Sequence, residues 1–145
     1  MMINGSRRSS RQRQGAVALE FILVSGIFIM TVLGMAELSR AIMVRQVLVN
    51  AAREGARRAV VPGATDAALT GGSGVITKYV QGAQMGGTTT VAILVNGTQA
   101  SLSTAHSHDT IAVRLSIPWQ DVSWGIMRFI PVSTTLTAEV TMRKE

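Results

Sequence analysis

The pattern of apolar and polar positions divides the chain into stretches with different periods. From Ala16 to Ala36 apolar and small residues dominate, and Glu20 is the only charge. As a helix this run would cover about 32 Å at roughly 1.5 Å per residue, close to the ~30 Å hydrocarbon core of a bilayer. The pattern therefore predicts a membrane-spanning helix over 16–36. No proline follows until Pro62, and Pro62-Gly63 is a strong stop, so one long helix is expected over 16–60. Past Ala36 the helix turns amphipathic. Leu38, Ile42 and Val49 fall near one direction, Val44, Val47 and Ala51 near another, and Arg40, Arg57 and Arg58 on a polar side. Two apolar faces on one helix point to its own domain on one side and another chain on the other. Packing within the domain alone is the alternative. Glu54 and Arg58 are spaced as an i,i+4 ion pair, worth only ~0.2–0.5 kcal/mol.

Beyond Pro62 the helical period is lost. Residues 63–74 read as loop, and Thr70-Gly71-Gly72-Ser73-Gly74 lacks the Lys-Ser/Thr ending of a phosphate loop. Val75 to Met85 reads as a short helix with Val75, Ile76, Tyr79 and Val80 inward, ended by Gly86-Gly87. The rest is strand-like. Thr88 to Val95 is β-branched and apolar, and Asn96-Gly97 is a strong hairpin signal, leading into a partner strand near Gln99 to Thr104. Asp109 to Ile117 alternates, with Ile111, Val113, Leu115 and Ile117 on one face and Ala112, Arg114 and Ser116 on the other. Thr135 to Arg143 alternates too, with Leu136, Ala138, Val140 and Met142 against Thr137, Glu139 and Thr141. The fold class expected is α+β: a long N-terminal membrane-spanning helix, then a small antiparallel sheet packed on the helix's exposed half. The expected divisions are a basic leader over 1–15, the membrane helix over 16–36, its exposed continuation over 37–61, and an extracytoplasmic domain over 62–145.

Charge refines this picture. The chain of 145 residues has a formal net charge of +6, from 14 Lys+Arg and 8 Asp+Glu. Four of the arginines, Arg7, Arg8, Arg11 and Arg13, lie in the leader, where there is no acid. The basicity is thus mostly a cytosolic anchor rather than a nucleic-acid surface, and it orients the N-terminus inward. Arg40, Arg45 and Arg53 follow the apolar run closely and weaken that bias. With no cysteine, disulfides, thiolate metal sites and cysteine nucleophiles are excluded.

Glu20 is the residue that the apolar run does not explain. An ionisable group inside a membrane segment is costly and marks function by default, although a carboxylate near a helix end can also reach the headgroups. Gly15 lies between the basic leader and the apolar helix. A cut after Gly15 would create an α-amino group at Ala16, one helical turn from Glu20, and the two could pair within one chain or between adjacent copies. This arrangement resembles the processing site of type IV prepilins. There a basic leader ends in Gly, a membrane-embedded aspartyl peptidase cuts after it, and Glu is the fifth mature residue. Glu20-Phe21 looks like the Glu-Phe or Glu-Tyr of the Flp/Tad subgroup. Ala51-Ala52-Arg53-Glu54-Gly55-Ala56-Arg57 is similar to the Ala-Ala-Arg-x-Gly-Ala-Arg stretch of TadE-like proteins, and Met142-Arg143-Lys144-Glu145 looks like their terminal Met-Arg-x-Glu.

The resemblance to TadE-like pseudopilins implies a structural part in assembling Flp-type pili, which serve adherence and biofilm formation. It implies cleavage between Gly15 and Ala16, a role in processing or assembly for Glu20 and Phe21, and an inner-membrane location. The partners implied are the bilayer, the prepilin peptidase, other pilins or pseudopilins and inner-membrane assembly proteins, with no nucleic acid and no small-molecule substrate. Arg53, Gly55, Arg57, Trp119 and Trp124 are candidate partner contacts. The segment from Pro118 to Pro131 holds both tryptophans, and three readings stay open for it: core closure, the membrane surface, or a partner contact.

No enzyme, cofactor or metal is expected. His106-Ser107-His108-Asp109 is the only cluster inviting an active site, and it has neither a further ligand nearby nor the separated geometry of a hydrolase triad. The alternative function is an extracytoplasmic binding domain with an ordinary signal sequence cut after Ala36, where Gly34 and Ala36 offer small residues. That alternative leaves Gly15, Glu20 and the helix beyond the cut unexplained.

Overall fold

The computed structural model describes residues 7–83, 85, 87–125 and 134–145, with side chains from Gly15 onward. Two compact units emerge, Met1–Ala36 and Glu37–Glu145, and helix α1 (Arg7–Ala59) contributes to both. The α+β class expected from the pattern is what the chain adopts: a long apolar N-terminal helix and a small antiparallel sheet.

In the first unit α1 begins at Arg7, earlier than the expected start at Ala16, so the basic stretch from Arg7 is helical rather than irregular. Adding turns to an existing helix needs no new nucleus, and arginine and glutamine are good helix formers. From Val17 to Met35 the large apolar side chains other than half-buried Leu33 stand exposed, Phe21 at 71%. The two hydroxyls in this run are satisfied by the helix itself: Ser25 Oγ donates to the Ile22 carbonyl at 3.0 Å and Thr31 Oγ1 to that of Ile27 at 2.9 Å. Such internal bonding is what a hydrocarbon environment requires of polar groups. Among the described residues α1 is the one helix long and apolar enough to cross a membrane.

In the second unit the remainder of α1 forms one wall of the core. Val44, Leu48, Ala51, Ala52, Ala56 and Ala59 are fully buried, at the spacing of a single helix face. The helix ends where Pro62 and Gly63 (φ +79°) follow. Within the stretch expected to be loop, α2 (Asp66–Thr70) forms a short helix, because the Thr65 side chain caps it by accepting from Ala68 N–H. Helix α3 (Val75–Gly82) lies where expected, but of its proposed inward residues only Ile76 is fully buried and Tyr79 is exposed.

The sheet has four antiparallel strands in the order β2-β1-β3-β4. They are β1 (Thr90–Val95), β2 (Thr98–Gln99), β3 (Thr110–Pro118) and β4 (Thr135–Arg143). Ile93 pairs with Val113 and Val113 with Val140, so one register aligns the inward residues of three strands. Ile111, Val113, Leu115 and Ile117 are fully buried, as the alternation predicted. Ala112, expected on the wet face, is buried as well: it stands in register between Leu94 and Thr141, whose larger side chains shade its methyl group. Arg114 Nε donates to Glu139 Oε2 at 2.7 Å across the outer face. The β1–β2 turn places Asn96 (φ 51°) and Gly97 (φ 84°) in the left-handed region, the geometry of a tight two-residue hairpin. Strand β2 is shorter than the predicted partner, which was to reach Thr104. Ser101 accepts from Ser103 N–H and caps a 3-10 turn over Leu102–Thr104 that buries Leu102 in the core instead. After β3 the chain forms one turn of helix, α4 (Trp119–Val122).

Candidate membrane and partner surfaces

The expected processing residues all lie on the exposed surface of α1. Nothing approaches the Cβ position of Gly15 within 4 Å, and Ala16, Glu20 and Phe21 are exposed. The i,i+4 spacing of Ala16 and Glu20 puts them on one side of the helix, one turn apart. The segment thus stands open along the helix surface.

The Ala51–Arg57 patch divides between two tasks. Gly55, an expected partner contact, is buried within its own unit. A Cβ there would fall 2.7 Å from Ile76 Cδ1 and 3.4 Å from Val113 Cγ1, so the absent side chain admits α3 and the sheet. The small residues beside it serve the same close approach. Arg57, also expected to meet a partner, clamps Glu54 with Nε at 2.8 Å and Nη2 at 2.6 Å, and Arg58 Nε adds a looser contact at 3.4 Å. The i,i+4 pair anticipated between Glu54 and Arg58 is therefore the weaker of two. The hydrogen bond from Arg57 holds the Glu54 carboxyl below the usual glutamate value and holds the Arg57 guanidinium above its own. Arg53 is exposed and makes no ion pair among the described residues. Of the two apolar directions read from the sequence, Val44 and Ala51 face the core, whereas Leu38 and Ile42 remain exposed.

The His106–Asp109 cluster is a turn. Asp109 Oδ1 accepts from Asn96 Nδ2 at 2.8 Å and Oδ2 from His106 N–H at 2.7 Å. These two bonds hold its carboxyl below the usual aspartate value. His108 adopts φ 74°, and its N–H donates to Lys144 O. The carboxylate is thus spent on the backbone and the hairpin, and no group of three metal-binding side chains occurs among the described residues.

The tryptophan segment contains the residue that sequence reasoning passed over. Glu37 is 1% exposed, the only charged residue buried among those described. Its Oε1 accepts from Ser123 Oγ at 3.0 Å, that hydroxyl in turn accepts from Gly125 N–H at 3.1 Å, and Glu37 Oε2 has no hydrogen-bond partner. One turn further along α1, Arg40 Nε donates to the Val122 carbonyl at 2.7 Å, and its guanidinium lies 5.4 Å from the centre of the Trp124 ring. The indole of Trp124 is itself 65% exposed. Trp119 differs, being half-buried against the core, with its backbone N–H donating to the Thr134 carbonyl. The two tryptophans therefore answer the open question differently: Trp119 closes the core and Trp124 faces outward. Residues 126–131 of that segment lie outside the described residues. A signal for Glu37 was present: 37, 44, 48 and 51 form one helical stripe, and the other three positions are core.

Comparison with known proteins adds one match. The model of a family described as TadE-like protein matches residues 15–57, which begins at Gly15 and ends at Arg57. The TadE-like resemblance read from the residues thus coincides with a family match over this stretch. No curated protein and no solved structure matches the chain.

Proposed function

We propose that this chain is a minor pseudopilin of a Flp-type pilus, processed after Gly15 and anchored in the inner membrane with its C-terminal unit outside. The observation that carries this reading is the division of α1. Its large apolar residues from Val17 to Met35, half-buried Leu33 apart, are uncovered, whereas from Val44 onward one face is sealed into an α+β core. A helix built this way anchors a domain and presents a lateral surface to other helices. The family match over residues 15–57 supports the same reading, since it starts at the residue where a prepilin leader would end.

In this reading the chain is structural, and the bond-breaking chemistry belongs to the peptidase. After cleavage the Ala16 ammonium and the Glu20 carboxylate would offset part of each other's cost in the bilayer. Leu38 and Ile42, with Arg53 beside the core-facing patch, form the surface offered to neighbouring subunits, and the assembled fibre serves adherence and biofilm formation. A cut after Ala36 fits less well. It would place a new ammonium group on Glu37, whose side chain is buried and bonded to Ser123.

The test is the N-terminal residue of the mature protein, determined by mass spectrometry on membranes from a host with its own processing machinery. A start at Ala16 supports the proposal, and a start at Glu37 in a soluble fraction refutes it. Glu20→Ala is expected to leave insertion intact and to impair assembly. Normal piliation in that variant would remove Glu20 from the mechanism.

A further inference from the structure

We infer that Trp124 and Arg40 form an interfacial anchor that binds the headgroup region of the bilayer in which α1 is embedded. The inference rests on the membrane reading of residues 16–36. Arg40 follows Ala36, the last residue of the apolar run, by one turn of the same helix, and headgroup regions extend about 5–8 Å beyond the hydrocarbon on each side. Tryptophan and arginine are the side chains suited to that depth. The indole has an apolar body and a polar N–H, and the guanidinium pairs with lipid phosphate.

The structure spends three contacts on holding Trp124 there. Glu37 Oε1 accepts from Ser123 Oγ, Arg40 Nε donates to Val122 O, and the Arg40 guanidinium lies beside the Trp124 ring. A buried carboxylate with one unpartnered oxygen is a costly device for fixing a loop. Yet the indole it positions contributes little to the core, being 65% exposed. A large aromatic left uncovered beside a cation, itself one turn past the end of the apolar run, fits a lipid surface of phosphate and acyl boundary.

The experiment uses the full chain reconstituted in vesicles of phosphatidylethanolamine and phosphatidylglycerol, with lipids brominated at the 6,7 or the 11,12 acyl positions. The Trp124 signal is the difference between the wild-type chain and Trp124→Phe, a substitution at an exposed site that leaves the core intact. Flotation of both proteins with the vesicles reports the span separately. The expected result is stronger quenching by the 6,7-brominated lipid than by the 11,12-brominated lipid, with most of that quenching lost in Trp124→Phe. A chain that floats while its Trp124 signal ignores both lipids and is quenched by aqueous iodide overturns the anchor and leaves the membrane span standing. Shielding that appears only as the protein-to-lipid ratio rises means a second copy covers Trp124, and also overturns it. Failure to float removes the span and the anchor together.

Discussion

At the scale of single residues, Glu37 and Asp109 are carboxylates whose hydrogen bonds hold a loop and a turn. Glu37 bonds Ser123 through one oxygen and leaves the other buried and unpaired. Glu37→Gln keeps an acceptor for the Ser123 hydroxyl and removes the charge. Its urea midpoint is expected to equal or exceed that of the wild-type chain, whereas Glu37→Ala, which orphans Ser123 and opens a cavity, should cost about 1–3 kcal/mol. Asp109 acts through pH. Its carboxyl is depressed by the Asn96 amide and then by His106 N–H, so the ionised form is favoured in the folded chain. The stabilisation is therefore present above the unfolded value and lost as pH falls through the lower folded value, in the acid range below the usual 3.8. Urea midpoints measured from pH 5 downward should fall less steeply in Asp109→Asn than in the wild-type chain.

At the scale of elements, the two faces of α1 make opposite predictions. Gly55→Leu drives a side chain into Ile76 and Val113. Overpacking of this kind costs about 1–3 kcal/mol, read as a lowered urea midpoint. Ile42→Glu changes an exposed apolar residue. Its midpoint should stay within about 0.5 kcal/mol of wild type, while cross-linking to neighbouring pilus subunits should drop. An Ile42→Glu chain that cross-links normally would place the subunit contact elsewhere on the helix.

At the scale of the whole molecule, the two units differ in what stabilises them. The core residues run from Val44 to Ala138, all in the second unit, while most of the large apolar side chains described in the first stand exposed. A chain beginning at Gly34 is therefore expected to fold in water, with cooperative unfolding and the near-ultraviolet dichroism of packed tryptophan. The full chain should require detergent or lipid. Loss of cooperative unfolding in the short chain would mean that the second unit depends on the membrane segment for its stability.

The sequence by itself determined what repeats locally. The apolar run of 16–36, the alternation of β3 and β4, and the Asn96-Gly97 turn are each set by a backbone period or a backbone conformation, and neighbours in sequence suffice to read them. The stretch from Gly15 to Arg57 that the family model matches was singled out from contiguous residues for the same reason. Only the tertiary structure decided how those elements are used. Gly55 reads as an opening for a partner until Ile76 arrives to fill it. The tryptophans look alike until Trp119 meets the core and Trp124 meets Arg40. The bond between Ser123 and Glu37 joins residues 86 positions apart. Which buried group meets which partner depends on how the loop folds back along α1, and no period of 2 or 3.6 carries that information.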